Sequence, residues 1–316
     1  MRYMSSQAKR FWNSRYLTSQ ARRFWRSRYL LIMMAVPFVY LFIFQYMPIY
    51  GAQIAFRNFT PLRGVWGSPW VGFDNFRQFF GSVFFFRLFR NTVVISVVQL
   101  AFTFPAAIIL ALMINELRIK YLKKSVQTIL YLPHFISVVV VAGLVVAILS
   151  PSGVVNSMIR FFGGETVFFF IEPNYFPFIL AFTDLWQSTG FNSIIYLAAL
   201  SSIDPGLYEA AVMDGASRYQ QIKKITLPCL IPTIVILLIL AMGNIFTVGF
   251  QRILLLYNPS IFYRADVIGT FVFRRGLGAQ DFSFAAAVDM FNSVLNLTMI
   301  IIFNKFMRRL GETSLW

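Results

Sequence analysis

The side chains best suited to bind a ligand lie within a long apolar stretch near residue 184. This run mixes aromatic faces with carboxyl, amide and hydroxyl groups, at Asp184, Trp186, Gln187, Ser188, Phe191 and Asn192. Sugars are bound by such combinations, because their rings stack on aromatic side chains and their hydroxyls pair with amides. Helix packing explains each of these side chains equally well when it is taken singly, so both interpretations stay open.

A second polar stripe occurs near the carboxyl end of the chain. Asp289, Asn292 and Asn296 are spaced i, i+3 and i+7, which places them on one face of a helix. A charge at the centre of a bilayer costs about 2.5–3.5 kcal/mol on insertion scales, so such a group faces a partner or a cavity. The stripe therefore either lines a path or joins two subunits by hydrogen bonds between helices.

Two further groups carry less information. His134 is interpreted as an interfacial histidine near the start of an apolar run. Cys229 is the single cysteine, so it forms no disulfide within the chain and fits no metal-site spacing. We expect Cys229 to be a small buried packing residue.

The elements that must position these residues are long apolar helices. The mean hydropathy of the chain is +0.67 and only 13% of its residues are charged. Runs of about 18 or more apolar residues are long enough to cross a bilayer as helices. Six such runs are found, at Leu30–Tyr50, Asn91–Asn115, Gln127–Ser150, Phe176–Ser202, Cys229–Phe250 and Phe284–Phe303. The predicted fold class is an all-α polytopic membrane protein with six transmembrane helices.

The distribution of basic residues predicts the orientation. The net charge is +16, and with the amino terminus inside, the short inner segments hold 18 of the 28 Lys and Arg residues. Enrichment of Lys and Arg in short inner segments indicates that both termini face the cytoplasm. No segment is long enough to build a basic groove on a soluble domain, so nucleic acid is excluded as a partner.

The amino-terminal tail, residues 1–28, contains a tandem duplication. SQAKRFWNSRYL (6–17) and SQARRFWRSRYL (19–30) match at ten of twelve positions. Each copy places aromatic residues on one helical stripe with cations around it, which predicts an anchor on anionic membrane lipid. The six-helix domain is assigned to residues 29–310 and a short carboxyl-terminal tail to 311–316.

Between the fourth and fifth runs the chain carries a mostly polar segment, EAAVMDGASRYQQIKKITLP (209–228). Asp204 followed by Pro205 predicts a helix start that runs to about Asp214, where Gly215 breaks the helix. Ser217 with Gln220 fits a capping box for a second short helix. The segment 204–228 is therefore predicted to be an elbow of two helices on the cytoplasmic side.

The spacing within this elbow resembles the coupling loop of permease subunits of binding-protein-dependent ABC importers. Gly lies four residues after the last Ala of a Glu-Ala-Ala triplet, Ile lies ten residues after that Gly, and Leu-Pro follows closely. The pattern is met at Glu209, Ala210, Ala211, Gly215, Ile225, Leu227 and Pro228. The stretches GSPWVGFDNF, DLWQSTGFNSIIYLAALSSIDPGLYEAA, YRADVIGTFVFRRGL and FSFAAAVDMFNSVLNL resemble the carbohydrate-uptake class, in its oligosaccharide and polysaccharide branch.

The resemblance implies a type I ABC importer permease architecture and three protein partners. These are a second homologous permease subunit, in a heterodimer, a cytoplasmic ATPase dimer, and an extracytoplasmic sugar-binding protein. It implies that the ATPase-coupling residues are Glu209, Ala210, Ala211, Asp214, Gly215, Ile225, Leu227 and Pro228. It also points to the spans beside the elbow for the substrate pathway, where the candidate residues are Gln187, Ser188, Phe191 and Asn244. Residue type and spacing add Trp186, Asp289 and Asn292 to the candidates for this pathway.

The chain is not expected to hydrolyse ATP itself. It has no GxxxxGK[ST] loop to cradle phosphates, so no cofactor is expected on this chain, and ATP and Mg²⁺ are assigned to the partner ATPase. An ion-coupled secondary transporter that uses Asp184 and Asp289 is the alternative, although no repeat relates the two halves. A membrane enzyme is disfavoured, since neither HExxH nor GxSxG occurs.

Overall fold

The computed structural model describes residues 28–247, 249–311 and 314–315. Most of the duplicated tail, at residues 1–27, lies outside the described residues. The α-helices are α1 Arg28–Leu41, α2 Gly64–Gly67, α3 Asp74–Phe80, α4 Phe85–Asn115, α5 Lys120–Tyr131, α6 Val138–Leu149, α7 Val154–Phe161, α8 Phe176–Ser201, α9 Pro205–Met213, α10 Arg218–Gln221, α11 Leu227–Met242, α12 Phe250–Leu256, α13 Phe262–Ala265, α14 Ile268–Phe273 and α15 Phe282–Arg309.

Short π and 3₁₀ segments continue or connect these helices, at Phe42–Tyr46, Met47–Phe56, Leu132–Phe135, Ile222–Thr226, Pro259–Ile261 and Arg274–Gly278. In the described part of the chain, extended pairing is limited to one isolated bridge, between Arg57 and Trp70. The predicted all-α fold class is confirmed.

Five helical stretches are long and apolar enough to cross a membrane, namely Tyr29–Phe56, Phe85–Asn115, Val138–Phe161, Arg218–Met242 and Phe282–Arg309. The predicted fourth span is a single helix, α8, of 26 residues, which is also long enough to cross a bilayer. Its polar residues, including Asp184 and Gln187, lower its hydropathy below that of the other five. The count of six spans therefore stays a prediction.

The predicted third span, Gln127–Ser150, is broken in the structure. Helix α5 ends at Tyr131, a 3₁₀ turn spans Leu132–Phe135, and α6 begins after Ser137, whose hydroxyl accepts from the backbone N of Val140 at 3.4 Å. Pro133 lacks an N–H group, and it disfavours helical geometry at the residue before it. Helix α6 has 12 residues, and the chain then turns into α7.

The predicted fifth span, Cys229–Phe250, is shifted toward the elbow. Helical structure runs from Arg218 to Met242, and a turn at residues 243–247 ends it. The turn is stabilised by Asn296, whose Oδ1 accepts from the backbone N of Phe246 (3.0 Å) and whose Nδ2 donates to Thr247 Oγ1 (2.8 Å). Cys229 is exposed on this helix, so the prediction that it is buried was wrong.

Helices α4 and α8 form the centre of the bundle. At the end that carries the elbow they enclose a cluster of buried apolar residues, including Ala111, Ile114 and Leu200, that extends to Leu230 of α11. At the opposite end a second cluster joins Ile95 and Leu180 to the helices that follow the fifth span. A third cluster packs Leu88 of α4 against Phe271 of α14 and Phe284 of α15, so the described part of the chain has three packed clusters.

Helix α8 approaches α5 so closely that only glycine fits at residue 190. A Cβ built on Gly190 would lie 2.0 Å from the carbonyl oxygen of Leu130, which is backbone and has no rotamer to change. The contact fixes the distance between the fourth span and the helix before the break in the third.

Gly190→Ala is expected to destabilise the protein by at least about 1–3 kcal/mol, because α5 must move away from α8. Gly143→Ala in α6 is the matched control, since a Cβ there has no neighbour within 4 Å and alanine favours the helix. Thermal unfolding of the detergent-solubilised protein measures both. Equal midpoints for Gly190→Ala and Gly143→Ala would contradict the assigned contact.

Candidate functional site

The first arm of the elbow is a capped nine-residue helix, α9. Asp204 Oδ1 accepts from the backbone N of Gly206 at 2.9 Å, and Pro205 occupies the first helical position. Gly215 ends the arm with φ of +75°. The backbone N of Ala216 bonds Ala211 O and that of Gly215 bonds Val212 O, which is the Schellman arrangement. The helix start and the glycine break predicted here are confirmed.

The second arm begins with the predicted capping box. Ser217 Oγ accepts from the backbone N of Gln220 at 3.4 Å, and Gln220 Oε1 accepts from the backbone N of Ser217 at 2.7 Å. Helix α10 continues through the π turn Ile222–Thr226 into α11 without interruption. The second arm is thus the start of the fifth span itself.

Three side chains that sequence reasoning missed hold the two arms together. The hydroxyl of Tyr208 lies 3.0 Å from Thr226 Oγ1, across eighteen residues. Gln221, which is buried, donates from Nε2 to the carbonyl oxygen of Ala216 at 3.0 Å. These contacts make the elbow one unit. The signal available in the sequence was that these polar residues belong to neither the helix cap nor the capping box.

The outer face of the elbow exposes apolar side chains. Met213 is 87% exposed and Tyr219 70%, and Leu207 and Val212 are also exposed. Glu209, Ala210, Asp214, Gly215, Leu227 and Pro228 lie on the surface, whereas Ala211 and Ile225 are partly buried. An exposed apolar patch with a polar rim is typical of a protein interface. The elbow is therefore a surface suited to dock another protein.

The candidates Gln187 and Ser188 on α8 are used within the chain. Arg252 of α12 donates from Nη1 to Asp184 Oδ1 at 2.9 Å and from Nη2 to Gln187 Oε1 at 2.7 Å. Gln187 Nε2 donates to the carbonyl oxygen of Ile136 at 2.9 Å, and Ser188 Oγ donates to Asp184 Oδ1 at 3.0 Å. We assign this cluster to holding α8, α12 and the break before α6 together.

The two aromatic candidates on α8 lie apart from this cluster. The ring of Phe191 stacks on that of His134, with centroids 3.9 Å apart and planes 4° from parallel. Trp186, half-exposed, lines an apolar cavity of about 530 Å³ between α6 and α8, together with Leu144, Ile148 and Phe182. Stacking on a neighbouring ring is the role that the structure gives Phe191.

The remaining candidates line a row of three cavities along one side of the bundle. The first cavity, about 230 Å³, lies between α4, α8 and α11 and is bordered by Asn192. The second, about 180 Å³, contains Asn244 and shares Thr103 with the first. The third, about 400 Å³, contains Asp289 and Asn292 and shares Thr247 with the second. We call this row the polar groove.

A buried ion pair organises the segment beyond the fifth span. The guanidinium of Arg274 donates to both carboxylate oxygens of Asp266, at 3.0 and 2.7 Å, and also bonds the hydroxyl of Tyr257. Burial lowers the pKa of Arg274, but the contacts with Asp266 and Tyr257 outweigh it and raise the pKa above its usual value. Arg274 thus stays charged, and the ion pair is structural.

The comparisons with known proteins identify the class. Residues 103–311 match the family described as the inner membrane component of binding-protein-dependent transport systems, and the chain belongs to this family. It is therefore a multi-pass membrane component of a transport system, as the elbow pattern predicted. The ion-coupled carrier with Asp184 and Asp289 finds no support, since Asp184 is paired with Arg252.

Two relatives come from Bacillus subtilis. The chain is 39% identical over 288 residues to the polygalacturonan/rhamnogalacturonan transport system permease protein YteP of Bacillus subtilis (strain 168), covering 90% of each chain. It is 37% identical to protein LplB of the same organism, covering 90% of this chain and 91% of LplB.

A crystal structure of a bacterial ABC transporter involved in the import of the acidic polysaccharide alginate is similar in fold. One of its chains is 44% identical, with a TM-score of 0.84 over 92% of this chain and 99% of that chain. The same transporter has also been solved with an alginate pentasaccharide-bound periplasmic protein, with a TM-score of 0.84. The predicted type I importer permease fold is confirmed by this likeness.

The Asp184–Arg252 pair is expected to be structural. Arg252→Met leaves the largely buried Asp184 carboxylate without its cation and Gln187 Oε1 without its donor, which costs up to about 3–5 kcal/mol. The double variant Asp184→Leu with Arg252→Met removes both charges and should lose less than either single change. Arg77→Met is the control, since its pair with Asp74 is exposed and is worth about 0–1 kcal/mol. Thermal unfolding measures all four, and additive losses would contradict the pairing.

Proposed function

We propose that this chain is the transmembrane permease subunit of an ATP-driven importer of oligosaccharides or polysaccharide fragments. The elbow carries the proposal. Both of its arms are capped, a hydrogen bond joins Tyr208 to Thr226, and its second arm is continuous with α11. It also presents the exposed side chain of Met213. A movement imposed on such a unit is passed to the spans that it joins.

The proposed partner at the elbow is a cytoplasmic ATPase dimer, which binds ATP and Mg²⁺ and does the chemistry that this chain lacks. Glu209 and Asp214 offer charge to that surface, and Ala210 allows close approach. Met213 inserts into the ATPase as the apolar anchor of the contact. The pattern residues Ile225, Leu227 and Pro228 link the docking surface to the fifth span.

A second permease subunit is the proposed partner within the membrane. The first span, Tyr29–Phe56, has no buried residue in its most apolar window. Its helix α1 presents apolar side chains such as Met33, Val36 and Phe38 on all sides. The chain itself leaves this apolar surface uncovered. A related chain that completes a heterodimer is the occupant that we propose.

The substrate class comes from the polar groove and from the relatives. The groove offers amide, hydroxyl and carboxylate groups at Asn192, Asn244, Thr247, Asp289 and Asn292 between apolar walls. Two relatives are involved in transport of polygalacturonan/rhamnogalacturonan and of alginate. The proposed cargo is a saccharide handed over by an extracytoplasmic sugar-binding protein. Gln187, Ser188 and Phe191 are not proposed to contact the saccharide directly, because they bond or stack on neighbouring residues of the chain.

Coupling is tested at Gly215. No atom lies within 4 Å of a Cβ built there, so a substitution acts through the backbone angle alone. Valine at φ +75° costs roughly 1–2 kcal/mol, whereas asparagine tolerates this conformation. In reconstituted vesicles, Gly215→Val should lose uptake and the stimulation of ATP hydrolysis by loaded binding protein. Gly215→Asn should keep most of both.

Glu209→Lys tests the same surface by charge. The substitution replaces the anionic side chain at the proposed ATPase contact with a cation. It should weaken binding of the ATPase in a pull-down and leave insertion into the membrane unchanged. If both Gly215→Val and Glu209→Lys couple like the unmodified protein, the elbow is only a connector.

Orientation is tested with reporters. With both termini in the cytoplasm, a reporter that is active only inside should work after Trp316, since Lys and Arg are enriched on that side. A reporter that is active only outside should work at Gly278, an exposed residue beyond the fifth span. The opposite pattern of signals would overturn the proposed orientation.

A further inference from the structure

The third cavity of the polar groove has an unusual set of polar groups. Asn292 is 7% exposed, and its Oδ1 is buried and accepts no hydrogen bond from any described residue. Asp289 lies one turn earlier on the same face of α15, and of the described residues none donates to its carboxylate or pairs with it. Both groups offer oxygen acceptors with no donor.

The walls of this cavity are aromatic. Phe246, Phe250, Phe273 and Phe282 line it, and Gly269 and Gly276 pack closely on Phe250 and Ala285 in the same wall. Its volume of about 400 Å³ falls within the range of small-molecule sites. Aromatic faces with a small number of fixed acceptors match a pyranose ring, which has an apolar face and an edge of hydroxyl donors.

No described cation compensates the charge of Asp289. Arg275, next to Gly276 in the cavity wall, is paired with Asp281, and its Nε lies 3.1 Å from the Asp281 carboxylate. Its guanidinium also lies over the ring of Phe284. An anionic ligand in the cavity would face an uncompensated carboxylate and an unpaired amide oxygen, and both interactions are repulsive. Hydroxyl donors satisfy both groups.

We propose that the cavity lined by Asp289 and Asn292 is a subsite for an uncharged glycosyl unit and discriminates against uronate units. The hydroxyls of the sugar donate to Asp289 and to Asn292 Oδ1, and the ring packs on the phenylalanine faces. The inference rests on the proposed transport of saccharides and narrows it, because two of the similar proteins are named for acidic polysaccharides, polygalacturonan/rhamnogalacturonan and alginate.

The test is protection of an introduced thiol in the assembled importer. Cys229→Ser removes the single cysteine, and Leu277→Cys then places a reactive thiol in the cavity wall, where Leu277 is 62% exposed. Maltohexaose should slow maleimide alkylation of this thiol, and hexagalacturonate, which has the same linkage and one carboxylate per ring, should not. Val83→Cys, which is 88% exposed in the turn before α4 and does not line the cavity, is the control that neither sugar protects.

Two variants connect protection to the named acceptors. Asn292→Leu should weaken the apparent affinity for maltohexaose by about tenfold, the effect of losing one buried hydrogen bond to a sugar hydroxyl. Asp289→Asn keeps the shape and removes the charge, so hexagalacturonate should begin to protect while maltohexaose still does. Either response supports the subsite, and the second variant serves if the first fails to assemble.

The proposal is overturned if maltohexaose gives no protection, if both sugars protect the unmodified cavity equally, or if neither variant changes protection. Uptake of both sugars by vesicles that hold the complete importer is measured in parallel. Uptake of saccharides without protection at Leu277→Cys overturns the subsite alone, whereas no uptake of any saccharide overturns the proposed function.

Discussion

At three interruptions of the described helices, a polar side chain from another span bonds the freed backbone groups. Gln187 bonds the carbonyl of Ile136 at the break in the third span, and Asn296 bonds the turn that ends the fifth. Asn91 of α4 donates to the carbonyls of Tyr263 and Asp266. A bilayer offers no water to exposed backbone, so irregular segments at this depth persist only where the protein supplies the partners.

This requirement separates two kinds of polar residue within the spans. Gln187 and Asn296 resemble ligand-binding residues by type, yet both are used within the chain. Gln187 bonds the Ile136 carbonyl and Arg252, and Asn296 bonds the backbone N of Phe246 and the hydroxyl of Thr247. Asn292 and Asp289 share the stripe with Asn296 and are left with free acceptors. Residue type alone does not distinguish the two kinds, because the distinction lies in which side chain faces an interrupted helix. The residues that remain candidates for contact with the cargo line the polar groove.

The elbow was predictable from sequence because its stability is local. Asp204, Pro205, Gly215, Ser217 and Gln220 act on residues within three or four positions, so their spacing specifies both arms. The break in the third span had a local signal in Pro133, whereas the end of the fifth span had none, since an apolar run has the same hydropathy whether or not it bends. Ending α11 at Met242 depends on Asn296, about fifty residues away, and the pairing of Asp184 depends on Arg252. Such contacts have no signature in a single sequence.

The position of α11 relates the elbow to the groove. One helical run extends from Arg218, in the second arm, to Met242, which is about 37 Å at 1.5 Å per residue. Its far end leads into the turn that carries Asn244 and Thr247, and these two residues line the second cavity. Gly243 packs so tightly on Ile300 that a Cβ there would lie 2.4 Å from it, which holds this end against α15. A rotation of the elbow that is passed along α11, beyond Pro232, would displace Asn244 or slide α11 along α15. Either movement would change the groove beside Asp289, because the second and third cavities share Thr247.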